Sequence, residues 1–175
     1  MDTGREGKII FKVKVFLSWS GEGSASHIVA TGLNGWIQKV IHMAEPFLSS
    51  DDILAGERWS GILGRELDDS GFGILCITKE TLNSPWMLFE AGALAGGYHN
   101  PRRVCPYLID IRREELLPPL NQFNAVVADM NGTFKMMQSL NDTPSGLLIP
   151  EEILRSSFKV WWDELDQILQ HVKGK

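Results

Sequence analysis

The segment Phe72-Gly73-Ile74-Leu75-Cys76-Ile77-Thr78 decides the fold, because it is a continuous apolar run of strand length. Such a run is typical of a central strand in a parallel sheet, where both faces are covered. It follows a turn sequence at residues 68–71 and precedes a helical pattern at residues 81–97. Pro85 is tolerable in that helix only if it falls in the first turn. A strand that leads into a helix is the repeating unit of an α/β domain.

The same alternation of strands and helices continues over the rest of the chain. Helical spacing of apolar residues predicts further helices at residues 26–43, 59–67 and 151–172. Further strands are predicted at residues 9–17, 45–49, 104–109 and 123–128. We therefore predict an α/β fold with a five-stranded parallel sheet, flavodoxin-like strand order and helices on both faces. It forms a single domain, with a core over residues 12–130 and a C-terminal amphipathic helix over residues 151–172.

Composition excludes several classes of partner. The 175 residues include 17 basic and 22 acidic side chains, for a net charge of -5. Without a basic excess, broad binding to nucleic acid or to an anionic membrane is not expected. No signal-peptide pattern and no apolar run near the ~20 residues of a membrane span is present. Cys76 and Cys105 lie in apolar runs and are expected to be buried free thiols, which favours a cytoplasmic location.

The predicted fold also indicates where a ligand would bind. Open parallel sheets bind ligands at the carboxyl ends of their strands, where the strand order reverses. Here that place lies between Ser18-Trp19-Ser20-Gly21, after the first strand, and Thr78, after the third. The helix that follows carries Trp86 and Glu90, which are neighbours on one helix face at a spacing of four residues. An aromatic plate beside a carboxylate suits a ligand that contains a flat ring and a sugar.

The sequence disfavours three other types of site: a dinucleotide-binding loop, a phosphoacceptor receiver and a metal site. The pattern Gly21-Glu22-Gly23-Ser24-Ala25-Ser26 resembles a dinucleotide-binding loop but lacks the third glycine, and the nearby acid Glu45 precedes its strand. A phosphoacceptor receiver needs acids at the strand ends, where Ser18 and Thr78 stand. No metal site is predicted, because the four histidines have no ligand spacing to a cysteine or an acid. They are His27, His42, His99 and His171.

Residues 15–94 resemble the TIR (Toll/interleukin-1 receptor) domain family, and its bacterial NAD-consuming members in particular. The resemblance covers nearly half of the chain, and its pieces occur in the family's order. They are Val15-Phe16-Leu17-Ser18-Trp19-Ser20, Ser49-Ser50-Asp51-Asp52-Ile53 with Gly56 and Trp59, Ile74-Leu75-Cys76-Ile77-Thr78, Ser84-Pro85-Trp86 and Phe89-Glu90-Ala91-Gly92.

The resemblance implies an enzyme that cleaves the nicotinamide–ribose bond of NAD+, with NAD+ as substrate and no cofactor. Glu90 matches the family's catalytic glutamate and Trp86 the aromatic residue one turn before it. A carboxylate can stabilise an oxocarbenium-like ribose, and nicotinamide leaves neutral, so no general acid is needed. Capture by water gives ADP-ribose, whereas capture by an internal group gives a cyclic isomer, and both products stay open.

The resemblance also implies contacts to the nucleotide and to other subunits. Ser18, Trp19 and Ser20 match the strand end that contacts NAD+, and Trp59 is a further expected contact. Residues 52–59 match a loop that reaches a neighbouring subunit, so self-association and a sensor or effector partner are expected, in bacterial antiphage defence. For each of these residues a purely structural role is the alternative, such as a turn, a helix start or packing of Trp86 on the sheet.

Two other functions remain open at this point. A TIR adaptor would act only through TIR–TIR contacts and would not turn over NAD+. A nucleoside deoxyribosyltransferase is a related α/β enzyme that also uses a glutamate on a sugar. The products formed from NAD+ and from a deoxynucleoside separate these functions.

Overall fold

The computed structural model describes residues 12–49, 71–84, 103–118, 120–143 and 149–174. The described strands are β1 (Val13–Ser18), β2 (Ala44–Leu48), β3 (Phe72–Ile77), β4 (Arg103–Leu108) and β5 (Val126–Val127). The described α-helices are α1 (Ala25–Val40), α2 (Met130–Asn141) and α3 (Glu151–Lys173). Short 3-10 helices at Arg113–Glu115 and Leu120–Gln122 lie between β4 and β5.

The five strands form one parallel sheet in the order β2-β1-β3-β4-β5. β1 pairs with β2 on one side and with β3 on the other, with Leu17 opposite Leu48 and Ile74 respectively. β3 is buried along its whole length, as its apolar composition predicts. The predicted five-stranded parallel α/β sheet and its flavodoxin-like order are confirmed.

One face of the sheet carries the larger hydrophobic core. Val13, Val15 and Leu17 of β1 point to this face, because successive side chains of a strand alternate between the two faces. All three described α-helices pack here, with Trp36 of α1 and Trp162 of α3 buried in the same cluster. The C-terminal helix therefore forms as predicted and covers this core through its apolar stripe.

The opposite face has a smaller core. It contains Phe16 of β1, Leu75 and Ile77 of β3, and Leu116 and Leu120 from the connection between β4 and β5. In the described ranges this face is covered by the two 3-10 helices and their flanks rather than by an α-helix. The helix predicted at residues 59–67 and most of the helix predicted at residues 81–97 lie outside the described residues.

Three predictions about local structure need correction. The helix expected to start at Thr81 does not start there: residues 81–83 form a turn, and Ser84, just before Pro85, is biased away from helical geometry. The fifth strand spans only Val126–Val127: a 3-10 helix ends at Gln122, and residues 123–125 between the two are irregular. Helix α2 was not predicted, although Asp129 caps it by accepting the backbone N–H of Gly132 at 2.7 Å.

Cys76 and Cys105 are buried free thiols, as predicted. Burial raises the pKa of Cys105 to about 12, and burial together with the charge of Cys105 raises the pKa of Cys76 further. Both therefore stay as thiols and act as small apolar side chains in the core. In the described part of the chain no helix is long and apolar enough to cross a bilayer.

Candidate functional site

The strand order reverses at the carboxyl ends of β1 and β3, where open α/β sheets form a crevice. The chain leaves β1 for β2 on one side of it, and β3 pairs with β1 on the other side, with Ser18 opposite Leu75. Two connections therefore diverge from this point, which is where open α/β sheets bind ligands. We define the crevice by residues 18–27 after β1 and residues 76–84 at the end of β3.

The loop after β1 is a tight turn that depends on glycine. Gly21 and Gly23 have φ angles of 81° and 73°, a region that side chains rarely adopt. Ser24 then begins α1 as its N-cap, because its Oγ accepts the backbone N–H of His27 at 3.2 Å. The same hydroxyl donates to the carbonyl of Ser20 at 2.7 Å. The turn is thus fixed at both its ends.

Serine hydroxyls tie this loop to the end of β3. Ser26 is fully buried, and its Oγ donates to the carbonyl of Cys76 at 2.6 Å. The same Oγ accepts the backbone N–H of Ser20 at 3.3 Å. The hydroxyls of Ser20 and Ser84 lie 2.9 Å apart, although 64 residues separate them in the chain. These bonds hold the two sides of the crevice together.

Trp19 and His27 form an aromatic stack within the loop. Their ring centroids are 4.0 Å apart and the rings are nearly parallel, at 19°. Nδ1 of His27 accepts the backbone N–H of Gly23 at 3.0 Å, so the proton of the neutral ring is on Nε2. Trp19 is 7% exposed, and its indole Nε1 is buried without a hydrogen-bond partner. Most buried polar atoms are satisfied, so this indole is an exception among the described side chains of the crevice.

The end of β3 is held by threonines and by one carboxylate. The hydroxyls of Thr78 and Thr81 lie 3.0 Å apart, and each also accepts the other residue's backbone N–H. The N–H of Lys79 donates to Asp110, just beyond β4, at 2.8 Å. These local side-chain bonds close the turn in place of a first helical turn.

The structure brings together three of the six predicted site residues. Ser18, Trp19 and Ser20 lie at the crevice; Ser18 and Trp19 are buried, whereas Ser20 is half-buried. The predicted catalytic Glu90 lies outside the described residues, as do Trp86, Trp59 and the loop at residues 52–59.

Sequence reasoning missed three residues that build the crevice, namely Ser26, His27 and Ser84. The only local signal was the N-cap pattern at Ser24, which places the following residues in the first turn of α1. Their partners lie in the turn before α1 or 50 and 64 residues away in sequence, so local spacing could not reveal these contacts.

The described side of the crevice offers hydroxyl, indole and imidazole groups. Glu22, Lys79 and Glu80 are exposed beside it. Such groups can hold the hydroxyls of a sugar and the edge of a ring through hydrogen bonds. Among the described residues, no three His, Cys, Asp or Glu side chains are grouped so that they could hold a metal.

The fold is an α/β domain with a five-stranded parallel sheet whose strand order reverses between β1 and β3. No protein-family model matches the chain, and no curated protein matches it. A solved chain similar to it comes from a structure of the activated Roq1 resistosome recognising the pathogen effector XopQ, described as its TIR domains. The identity is 20% and the TM-score 0.44, over 92% of this chain and 99% of that chain. At those values the likeness carries no argument, and the fold rests on the strand order and register.

Proposed function

We propose that this chain is a TIR domain that cleaves the nicotinamide–ribose bond of NAD+, with Glu90 as the catalytic carboxylate. The proposal rests on the sequence resemblance over residues 15–94. The structural observation that best supports it is the hydroxyl-lined crevice between β1 and β3, closed by the Ser20–Ser84 contact. Glu90 follows Ser84 by six residues, so the length of the chain keeps it within about 20 Å of the crevice.

In this proposal the crevice binds the nucleotide and Glu90 faces the reacting ribose. Ser20 is the best placed of the three strand-end residues, because Ser18 and Trp19 are buried. Trp86 and Trp59 are the proposed aromatic contacts to the rings of NAD+.

The chemistry requires only one carboxylate. The bond between C1′ of the ribose and the nicotinamide nitrogen breaks, and its electron pair stays on that nitrogen. Nicotinamide leaves neutral, while the positive charge that develops on the ribose is stabilised by Glu90. Water then attacks C1′ and gives ADP-ribose, or an internal nucleophile gives a cyclic isomer.

The wider role follows from the same resemblance. Residues 52–59 match a loop that in the family reaches a neighbouring copy, so activity is proposed to depend on self-association, triggered through a sensor domain or partner. Depletion of NAD+ in the cytoplasm by such an assembly would serve antiphage defence. The net charge of -5 is compatible with a small nucleotide substrate, which needs only a few local donors.

The test is a product assay with a matched control. Concentrated, assembled protein is incubated with NAD+ or with a deoxynucleoside, and the products are separated by chromatography. We expect nicotinamide release from NAD+ alone, a loss of about 100-fold or more in Glu90→Gln, and unchanged turnover in Glu152→Gln, which alters an exposed carboxylate on α3, outside the crevice.

Two results would contradict the proposal. NAD+ left intact by assembled protein would favour an adaptor that acts through TIR–TIR contacts. Base exchange on the deoxynucleoside without NAD+ cleavage would favour a deoxyribosyltransferase.

A further inference from the structure

The strand β4 has an open edge over its first half. β5 is only two residues long and pairs with Tyr107 and Leu108. In the described part of the chain no strand pairs with that side of Arg103–Pro106. The backbone groups of successive residues point to opposite sides of a strand. The carbonyl of Leu108 accepts the N–H of Ala128, just after β5, so the backbone groups of Val104 and Pro106 also point to this edge.

Pro106 makes this edge a poor template for another strand. Proline has no backbone N–H, so it cannot donate to an added ladder. Natural sheets use proline in this way to block pairing at an open edge. The edge is therefore better suited to line a ligand cleft than to accept an extended peptide.

A cleft of about 440 Å³ lies along this edge. A second cavity of about 230 Å³ shares Arg113 and Lys135 with it, so these two side chains lie at the junction. The combined space lies within the usual range of about 300–1,000 Å³ for small-molecule sites. Its walls come from β4, the segment before β5, and helix α2; they include Arg103, Val104, Arg113, Asn124, Lys135 and Ser139.

The cleft concentrates positive charge on a chain whose net charge is -5. Arg103 is paired with Asp142 at 3.2 Å, which neutralises that end of the cleft. Asp129, the acid that lines the smaller cavity, already caps α2 through Gly132. In the described ranges no carboxylate pairs with Arg113 or Lys135.

Arg113 is held in position by neutral groups. Its Nη2 donates to the side chain of Asn124 and, at 2.9 Å, to the carbonyl of Ala125. Both of these contacts use Nη2, which leaves Nη1 and Nε for a ligand as far as the described residues show. A planar guanidinium oriented in advance is well suited to bind a phosphate through two parallel hydrogen bonds.

We propose that this cleft binds an organic phosphate of the size of a mononucleotide or sugar phosphate, with its phosphate between Arg113 and Lys135. Arg113 supplies a directional, paired contact, and Lys135 supplies a second positive charge from the facing helix. The ring or sugar lies along the β4 edge beside Val104. This site is separate from the crevice and does not depend on the proposed cleavage of NAD+.

Titration calorimetry on the full chain tests the proposal. The probes are pyrophosphate, AMP and ribose 5-phosphate, with adenosine as the uncharged control. We expect the phosphates to bind, adenosine not to bind, and binding to weaken with added salt. Lys135→Glu, at an exposed position that the fold does not need, should lower the affinity about tenfold or more.

The matched control is Lys12→Glu, which makes the same charge change at an exposed lysine ahead of β1. It should leave the affinity within about twofold, since distant exposed charges are screened. The proposal is overturned if none of the phosphates binds, if Lys135→Glu has no effect, or if the two variants weaken binding equally. If no phosphate binds and Lys135→Glu abolishes a dimer of the chain, measured by light scattering, the cleft is an interface between two copies and the proposal is overturned.

Discussion

The crevice at the ends of β1 and β3 and the cleft along β4 are built in opposite ways. The crevice is closed by buried or half-buried hydroxyl bonds, such as Ser26 to Cys76 and Ser20 to Ser84. The cleft lies beside a strand edge that the short β5 leaves unpaired in the described residues, and its cations Arg103, Arg113 and Lys135 are exposed. The crevice is held together by hydrogen bonds between neutral groups. The cleft instead presents positive charge beside a strand edge that no described strand pairs with.

This difference shows that the two regions suit different ligands. In the proposal, neutral donors and acceptors in the crevice orient a sugar and a ring, while Glu22 and Glu80 are exposed beside them. Glu90 remains the proposed catalytic carboxylate. The cleft has the cations Arg103, Arg113 and Lys135 in its described walls, and these are the groups proposed to bind a phosphate.

The largest effect is expected from a change of Gly132 at the wall of the cleft. A Cβ at this position would lie 2.0 Å from the carbonyl oxygen of Val127, which is backbone and cannot rotate away. Gly132→Ala should therefore lower the free energy of unfolding by about 3 kcal/mol in denaturant titrations.

Gly35→Ala is the matched control for that change. Gly35 is exposed within α1, and no atom lies within 4 Å of the added Cβ. This variant should gain about 0.5–1 kcal/mol from helix propensity. Equal effects of the two variants would contradict the close approach of β5 and α2.

A smaller loss is expected at the crevice from Ser26→Ala. The change removes the bond to Cys76 and the acceptor for the N–H of Ser20, and it leaves buried groups unsatisfied. The free energy of unfolding should fall by about 1–3 kcal/mol. Ser156→Ala, whose exposed hydroxyl bonds to the carbonyl of Glu152, should change it by under about 0.5 kcal/mol. An equal fall in the free energy of unfolding in Ser156→Ala would show that the buried bonds of Ser26 contribute no more to stability than an exposed one.

The smallest change in stability is expected from Asp142→Asn at the end of the cleft. Its ion pair with Arg103 is exposed, with side chains 43% and 75% accessible, so its removal should cost under about 1 kcal/mol. The variant should also bind pyrophosphate more tightly, because Arg103 is no longer neutralised. Asp163→Asn, an equal charge change on α3, should leave pyrophosphate binding unaltered, and a similar gain there would argue for a general charge effect.

The central strand of the sheet and the C-terminal helix were predictable because a local sequence pattern marks each of them. β3 is buried on both faces and reads as one continuous apolar run, and α3 shows its stripe plainly. Helix α2 escaped prediction because Gly132 and Thr133 interrupt its pattern and are poor helix formers. Its stability comes from packing of Met136, Met137 and Leu140 in the core, which local spacing does not show.

The crevice was predictable in place but not in detail. The rule for parallel sheets pointed to Ser18, Trp19 and Ser20, whereas the Ser26–Cys76 bond joins residues 50 positions apart. The cleft could not be predicted at all. It exists because β5 begins only at Val126, whereas the sequence predicts a strand that begins at Phe123.

The most direct test of the central claim is to map where NAD+ binds, using nitrogen–proton NMR on Glu90→Gln, which should hold the substrate without cleaving it. We predict that NAD+ shifts the indole Nε1–H of Trp19 and the amide of Ser20, while the indole of Trp36, bonded to Trp161 at 2.7 Å, stays unchanged. Unchanged signals at Trp19 and Ser20, with shifts confined to the surroundings of Lys135, would place NAD+ in the cationic cleft and contradict the account.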